Sequence, residues 1–273
     1  MNKKAPIGVM DSGVGGLSVL RCLRQLLPQE DFIYLGDTAR TPYGSRSEGE
    51  LRQFTEEIMT WLEGQGVKQV VLSCNTTTSL GIASLQRQHP FHIIGMSRGE
   101  QQLLAASSTK KIGILATPFT IGTGAHAKAI GAIDPSAQVI GVPCTDFVAL
   151  IEGEQFHTPA LKAAIKEYCS ALKNAQVDTA LLGCTHYPFI EAELQEELGD
   201  KVKLVDPAMA TALASIADLK AQNLLNSEGE GKLHICCTAD LPRVRRLTGK
   251  MLPVDQCDFQ EISLAKAAVM QDF

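Results

Sequence analysis

Several things are missing from this chain of 273 residues, and each absence narrows what it can do. No apolar stretch comes near the ~20 residues a membrane-spanning helix needs. Met1-Asn2-Lys3-Lys4 runs straight into a strand pattern containing Gly8 and Asp11, which argues against a signal peptide and predicts a cytoplasmic protein with no membrane partner. Nor is one sign of charge in large excess: the net charge is −5, and acidic and basic residues are interspersed. No nucleic-acid surface is expected, and the partner is a small molecule. The eight cysteines (Cys22, Cys74, Cys144, Cys169, Cys184, Cys236, Cys237 and Cys257) include no Cys-x-x-Cys pair. They are too sparse for a small secreted disulfide scaffold and read as free thiols in a reducing compartment. A glycine-rich turn at Asp11–Gly16 lacks both the Gly-x-Gly-x-x-Gly spacing and a Gly-Lys-Ser/Thr ending, so it is a weak phosphate-loop signal.

What is present is a repeat. Residues 67–76, Val-Lys-Gln-Val-Val-Leu-Ser-Cys-Asn-Thr, align without a gap on residues 177–186, Val-Asp-Thr-Ala-Leu-Leu-Gly-Cys-Thr-His. In each, an apolar run short enough for a buried strand (Val70–Leu72, Ala180–Leu182) ends in one small residue and a cysteine. Further pairs follow. The strand Ile7–Met10 matches Ile112–Thr117, Phe32–Leu35 matches Val139–Val142, and His92–Ile94 matches Val202–Val205. The helix through Leu17, Leu20, Leu23 and Leu27 matches one from about Thr120, and a further helix is expected over Glu48–Glu63.

A duplicated series of β-α-β units thus accounts for nearly all of residues 7–207. The expected fold is α/β: two tandem pseudo-symmetric domains with mainly parallel sheets and the active site in the cleft between them. Beyond Pro207 come a long amphipathic helix (Met209–Leu225), a strand (Leu233–Cys237) and a last helix near Pro242–Leu247, none with a partner in the repeat.

Ligands in such sheets bind beyond the carboxyl ends of the strands, where Asp11, Asp37, Cys74, Thr117, Cys144 and Cys184 fall. A lone cysteine is more often an inert buried residue. Two at equivalent repeat positions, each followed by polar side chains, point instead to opposed proton-transfer groups. A thiol just before a helix also feels amide N–H groups and the helix dipole, which favours the thiolate. Asp11 and His186 are the nearest titratable candidates for general acid–base assistance. Their bland alternatives are a helix N-cap for Asp11 and a hydrogen-bonded strand-end histidine for His186. Ser12, Asn75, Thr76, Thr185 and the Tyr43-Gly44 pair are short polar groups suited to an amino acid's carboxylate and ammonium, and the glycine turn could cradle a carboxylate. A zinc set of Cys74, Cys184, His186 and Asp11 is disfavoured, because Cys-x-His is not a usual ligand spacing.

In order along the chain, Asp11-Ser12-Gly13-Val14-Gly15-Gly16, Asp37-Thr38-Ala39-Arg40-Thr41-Pro42-Tyr43-Gly44, Ser73-Cys74-Asn75-Thr76 and Gly183-Cys184-Thr185-His186-Tyr187-Pro188 closely resemble the glutamate racemases of the cofactor-independent aspartate/glutamate racemase family. The resemblance implies a racemase needing no cofactor and no metal, with L- and D-glutamate as its small-molecule substrates, D-glutamate supplied for peptidoglycan, and a homodimer left open. It implies that Cys74 and Cys184 are the catalytic bases, assisted by Asp11 and His186. Substrate would be held by Asp11, Ser12, Tyr43, Gly44, Asn75, Thr76, Thr185 and His186, with Asp37, Glu152 and Thr117 as additional residues near the site. It further implies that residues 208–273 return to a first domain of residues 1–97, with 98–207 forming the second.

Three places depart from the family pattern: Met96-Ser97-Arg98-Gly99-Glu100 where Pro-Gly-Ala is usual, Cys144-Thr145 for Cys-Pro, and Thr77-Thr78 for Ala-Ser. The rival readings are an aspartate racemase or carbon-acid decarboxylase of the same architecture, and a non-catalytic amino-acid-binding protein. A decarboxylase would need only one of the two cysteines.

Overall fold

The computed structural model describes residues 2–264. The first half runs β1 (Ile7–Asp11), α1 (Leu17–Leu26), β2 (Phe32–Gly36), α2 (Glu48–Gly64), β3 (Gln69–Leu72), α3 (Asn75–Thr78), α4 (Ala83–Gln88) and β4 (His92–Gly95). The second runs α5 (Glu100–Ala106), β5 (Lys111–Ala116), α6 (Pro118–Thr123), α7 (Ala125–Ile133), β6 (Gln138–Pro143), α8 (Phe147–Glu152), α9 (Pro159–Asn174), β7 (Thr179–Leu182), α10 (Glu191–Leu198) and β8 (Lys203–Val205). The closing segment adds α11 (Ala208–Ala221), β9 (Leu233–Cys237), α12 (Leu241–Thr248) and β10 (Asp258–Glu261).

Both sheets are parallel. Their orders, β10-β9-β2-β1-β3-β4 and β6-β5-β7-β8, contain the same arrangement, since β2-β1-β3-β4 maps onto β6-β5-β7-β8 strand for strand. Short apolar runs such as Val70–Leu72 and Ala180–Leu182 are buried because helices cover both faces of each sheet. On the first sheet, α1 and α11 pack with Val9, Phe32, Tyr34 and Ile235 on one side, while Ile58, Met59 and Leu62 of α2 pack with Met10, Val70 and Leu72 on the other.

The connection from β1 leads to one neighbour and that from β2 to the other, so the strand order reverses between β1 and β3, and again between β5 and β7. In open parallel sheets such reversals leave a crevice at the carboxyl ends of the strands. Asp11 and Cys74 flank the first crevice, Thr117 and Cys184 the second.

The tail extends the first sheet, because β9 pairs with β2 in parallel from Phe32↔Leu233 to Gly36↔Cys237, and β10 adds beyond it. The sequence reading stopped at the helix now seen as α12 and missed β10, whose Asp-Phe-Gln-Glu is a mostly polar edge strand. The expected tail helix ends at Ala221 rather than Leu225. Residues 265–273, assigned with the tail to the first domain, lie outside the described residues.

The departures from the family pattern find local partners. Thr78 Oγ1 accepts the Met96 N–H at 3.1 Å and Thr211 Oγ1 the Ser97 N–H at 2.9 Å, tying the crossing between halves to the first. Thr145 donates its N–H to the Tyr168 hydroxyl at 3.2 Å, a bond that proline could not make there.

Candidate active site

Asp11 closes β1, and the turn that follows carries its side chains into the seam between the halves. The Cys74 thiol donates to Ser12 Oγ at 3.8 Å, Ser12 Oγ donates to Asp11 Oδ1 at 3.0 Å, and Thr185 Oγ1 of the second half donates to Asp11 Oδ2 at 3.0 Å. Gly16, not Asp11, caps α1, so the N-cap reading of Asp11 fails. Across the seam, Cys184 Sγ lies 3.8 Å from His186 Nδ1, and His186 Nε2 lies 2.8 Å from Glu152 Oε1. Glu152 also accepts the Val14 N–H at 2.8 Å and Arg243 Nη1 at 2.6 Å. One polar chain therefore runs from Cys74 through Asp11 to Thr185, beside Cys184, and a second from Cys184 through His186 and Glu152 to Arg243.

The glycine turn does cradle a carboxylate, and it is the protein's own. A Cβ on Gly13 would fall 1.9 Å from Glu152 Oε1, and one on Gly15 would fall 2.4 Å from His186 Nδ1. Glycine at both positions is what lets the second half approach so closely.

Burial governs the protonation states. Asp11, His186, Cys74 and Cys184 are each at most 7% exposed. Cys74 does precede a helix, but α3 has only four residues. Burial, reinforced by the Asp11 charge, pushes its thiol up to about 12, the reverse of the thiolate expected from its position. Burial also raises the Asp11 carboxyl, with His186, Thr185 and Ser12 offsetting it in part. For His186, burial works against the charge, yet its hydrogen bonds to Cys184 and Glu152 carry it well above an ordinary imidazole. Burial of Glu152 is likewise outweighed by the hydrogen bond and charge of His186, the Val14 N–H and Arg243, which hold it below the usual range.

The remaining candidates gather around the same seam. Thr76 Oγ1 and Thr117 Oγ1 meet at 3.1 Å across the halves, and Gly44 packs on Thr117. Asn75 Nδ2 is buried and has no hydrogen-bond partner among the described residues, an unusual state for an amide. Tyr43 turns its hydroxyl onto Asp37, which also accepts Arg40 Nε at 2.6 Å and Thr238 Oγ1 at 2.9 Å. Asp37 is thus a brace for the Thr38–Ser47 loop, and the Tyr43 hydroxyl is already committed.

Sequence reasoning missed Arg243, Tyr34 and Thr238. Tyr34 donates to the Gly13 carbonyl at 2.7 Å and so fixes the glycine turn. Arg243 and Thr238 lie in the tail, which has no repeat to align with, and no motif marked them. A cavity of about 420 Å³ lined by Arg52, Leu80, Gly81, Ala83 and Ser84 shares no residue with the site and carries no proton-transfer group of its own.

Comparison with known proteins agrees with the geometry. Residues 7–214 match the Asp/Glu/Hydantoin racemase family. A glutamate racemase of Microcystis aeruginosa is 39% identical over 249 residues, 91% of this chain and 88% of that protein. Among solved structures, glutamate racemase isoform RacE1 of Bacillus anthracis superposes with a TM-score of 0.88 at 29% identity, covering 96% of this chain and 99% of that one. The Francisella tularensis glutamate racemase, solved in complex with D-glutamate, gives a TM-score of 0.85 at 30% identity, covering 96% and 98%. With paired thiols at matching ends of a duplicated parallel sheet, and relatives at this identity along almost its whole length, the chain belongs to the glutamate racemases of the Asp/Glu/Hydantoin racemase family.

Proposed function

We propose that the chain interconverts L- and D-glutamate by a two-base mechanism, with Cys74 and Cys184 acting on opposite faces of the α-carbon. The observation that carries this reading is the asymmetric wiring of two equivalent thiols. Cys74 is held as a thiol donating toward Ser12 and Asp11, while Cys184 stands beside a His186 held in its charged form. A two-base racemase needs one thiol and one thiolate when substrate arrives, and of the two cysteines it is Cys184 that has a cation, His186, beside it.

From L-glutamate, Cys184 removes the α-proton, and the electron pair of the broken C–H bond stays on the carbon. Cys74 then delivers its proton to the other face, leaving D-glutamate, a Cys74 thiolate and a Cys184 thiol. Proton exchange through Ser12 and Asp11 on one side and His186 on the other resets the pair. The carbanion is stabilised by the Asn75 amide, which has no hydrogen-bond partner among the described residues and is free to donate onto the substrate carboxylate, and by exclusion of water from a buried site. The Ser12 and Thr185 hydroxyls, which donate to Asp11, keep their lone pairs for the substrate ammonium. Thr76, Thr117 and the Tyr43-Gly44 backbone complete the pocket. The Francisella relative's complex with D-glutamate supports the substrate assignment.

With both thiols buried, substrate enters only when the halves part. We take the moving bodies to be residues 1–97 with the returning tail from 208, and residues 98–207. A cytoplasmic location and a role in supplying D-glutamate for peptidoglycan belong to the same proposal. Polarimetry of L-glutamate with the purified protein tests it: loss of rotation to zero supports the activity, and rotation that stays constant, or falls with L-aspartate alone, refutes it.

A further inference from the structure

One face of α12, with Lys250 two residues beyond its end, grips the second half. Arg243, Arg246 and Lys250 follow one another at helical spacing and meet Glu152, Glu154 and Phe156. Arg243 Nη1 reaches Glu152 Oε2 at 2.6 Å and the Glu152 carbonyl at 3.0 Å. Arg246 Nε lies 3.1 Å from both Glu154 oxygens, and Lys250 Nζ sits 4.4 Å over the Phe156 ring. Arg243 is itself aimed: Asp240 caps α12 by accepting the Arg243 N–H at 3.2 Å and takes its Nε at 3.0 Å. Of the three contacts, the first alone reaches the reacting groups, because Glu152 is the carboxylate on His186. The Arg243–Glu152 pair is also largely desolvated, with side chains 15% and 6% exposed, whereas Arg246 is 59% exposed.

We propose that Arg243 is a positioning residue: reaching from the first half's tail to the second half, it fixes the Glu152 carboxylate against His186, so that the Cys184 end of the site is complete only when the two halves are closed. Closure and charge are then one event. An open cleft separates Arg243 and the Val14 N–H from Glu152, and the carboxylate loses two of the partners that keep it ionised beside His186. The charged and titratable groups facing this carboxylate are His186 and, through it, Cys184 and Asp11; Tyr34 from β2; and, from α12, Arg243 with Asp240, next to the Arg246–Glu154 pair.

This inference rests on the two-thiol reading. Removing a nearby cation raises the proton affinity of every neighbouring acid, so Arg243→Met should move the acid limb of the kcat/KM–pH profile upward by about one pH unit, the low end of what an adjacent opposite charge does. At a pH below the limb, kcat/KM should fall about tenfold. Because the substrates are mirror images the equilibrium constant is one, so the fall is equal in both directions. Arg243→Lys, which keeps the charge, should bring the limb most of the way back, and Arg246→Gln should leave it in place. An unmoved limb in a folded Arg243→Met, or an equal shift in Arg246→Gln, overturns the proposal, since either would show general loosening and not a charge acting on Glu152. Arg243→Gln carries the same expectation where the methionine variant does not fold. An unsubstituted protein without glutamate racemisation would sink the two-thiol reading and this one with it, whereas an active protein whose acid limb ignores Arg243 would sink this one alone.

Discussion

The two halves share a strand order and a thiol position and differ in what surrounds the thiol. At the end of β3 the neighbours are neutral or acidic: Ser12, Asp11 and the Thr77 hydroxyl on the Cys74 carbonyl at 3.1 Å. Two residues past β7 they form a charged relay, His186, Glu152 and Arg243. Burial pushes the Asp11 carboxyl up in the first half, while His186 and Arg243 hold the Glu152 carboxyl down in the second despite burial. The repeated scaffold gives two thiols matching positions, and the charges around them differ. A reaction between mirror images needs symmetric placement, but a catalyst that starts with one proton in the right place needs asymmetric wiring.

The sharpest way to break this picture is to remove one thiol. Cys74→Ala and Cys184→Ala should each abolish net racemisation in both directions. In D₂O, D-glutamate formed early from L-glutamate by the intact protein should carry deuterium at the α-carbon while the remaining L-glutamate carries little, because each base works on its own face. Deuterium entering recovered L-glutamate as fast as racemisation proceeds, or appreciable turnover by either alanine variant, would show that one base suffices.

The next effect separates the groups that serve the thiols. Asp11→Asn and His186→Asn should lower kcat by about 10²–10⁴, the range for a general acid–base group, with the fold retained. A near-normal kcat for either variant would reduce that residue to packing.

A smaller effect tests the difference in charge. The thiolate is the nucleophile, and burial with the Asp11 charge pushes Cys74 up to about 12. Iodoacetamide at neutral pH should therefore label Cys184 faster than Cys74, by at least about tenfold. Mass spectrometry of the singly labelled protein reads the order. Cys74 labelled first would contradict a Cys74 held as the thiol.

Much of this arrangement was legible in the sequence, and the misses have physical causes. Buried parallel strands write themselves as short apolar runs, so Val70–Leu72 and Ala180–Leu182 aligned and carried the cysteines with them. The strand-end position of Asp11 was legible for the same reason. The direction in which Cys74 titrates was not, because it depends on the depth of burial and the length of α3, neither of which a motif records. Arg243 was illegible because it sits among Arg245 and Arg246 on a short basic helix that reads as a solvated face, and its partner lies 91 positions away. Strand β10 escaped because edge strands need no continuous apolar run.

The smallest effect concerns stability, and it too distinguishes the halves. Glu152, whose proton affinity is lowered on folding, contributes stability that is present above its ordinary 4.5 and is lost as pH falls through its depressed folded value. His186, whose affinity is raised, contributes stability fully present below its ordinary 6.5 and lost as pH rises through its elevated folded value. Between about pH 4.5 and 6.5 both contributions hold together. A tenfold change in proton affinity is about 1.4 kcal/mol, or roughly 3–5 °C of Tm at the ~2–4 °C per kcal/mol of proteins slightly smaller than this one, so the slopes are modest and are best read as a difference between intact protein and variant. The Tm difference against Glu152→Gln should shrink on the acid side of that window, and the difference against His186→Asn on the basic side. Thr76→Ala, which removes a first-half hydroxyl bonded to Thr117 and not to a titratable group, should give a difference that is flat in pH. A sloping Thr76 curve, or a His186 difference that grows above pH 6.5, would place the charged pair in the wrong half.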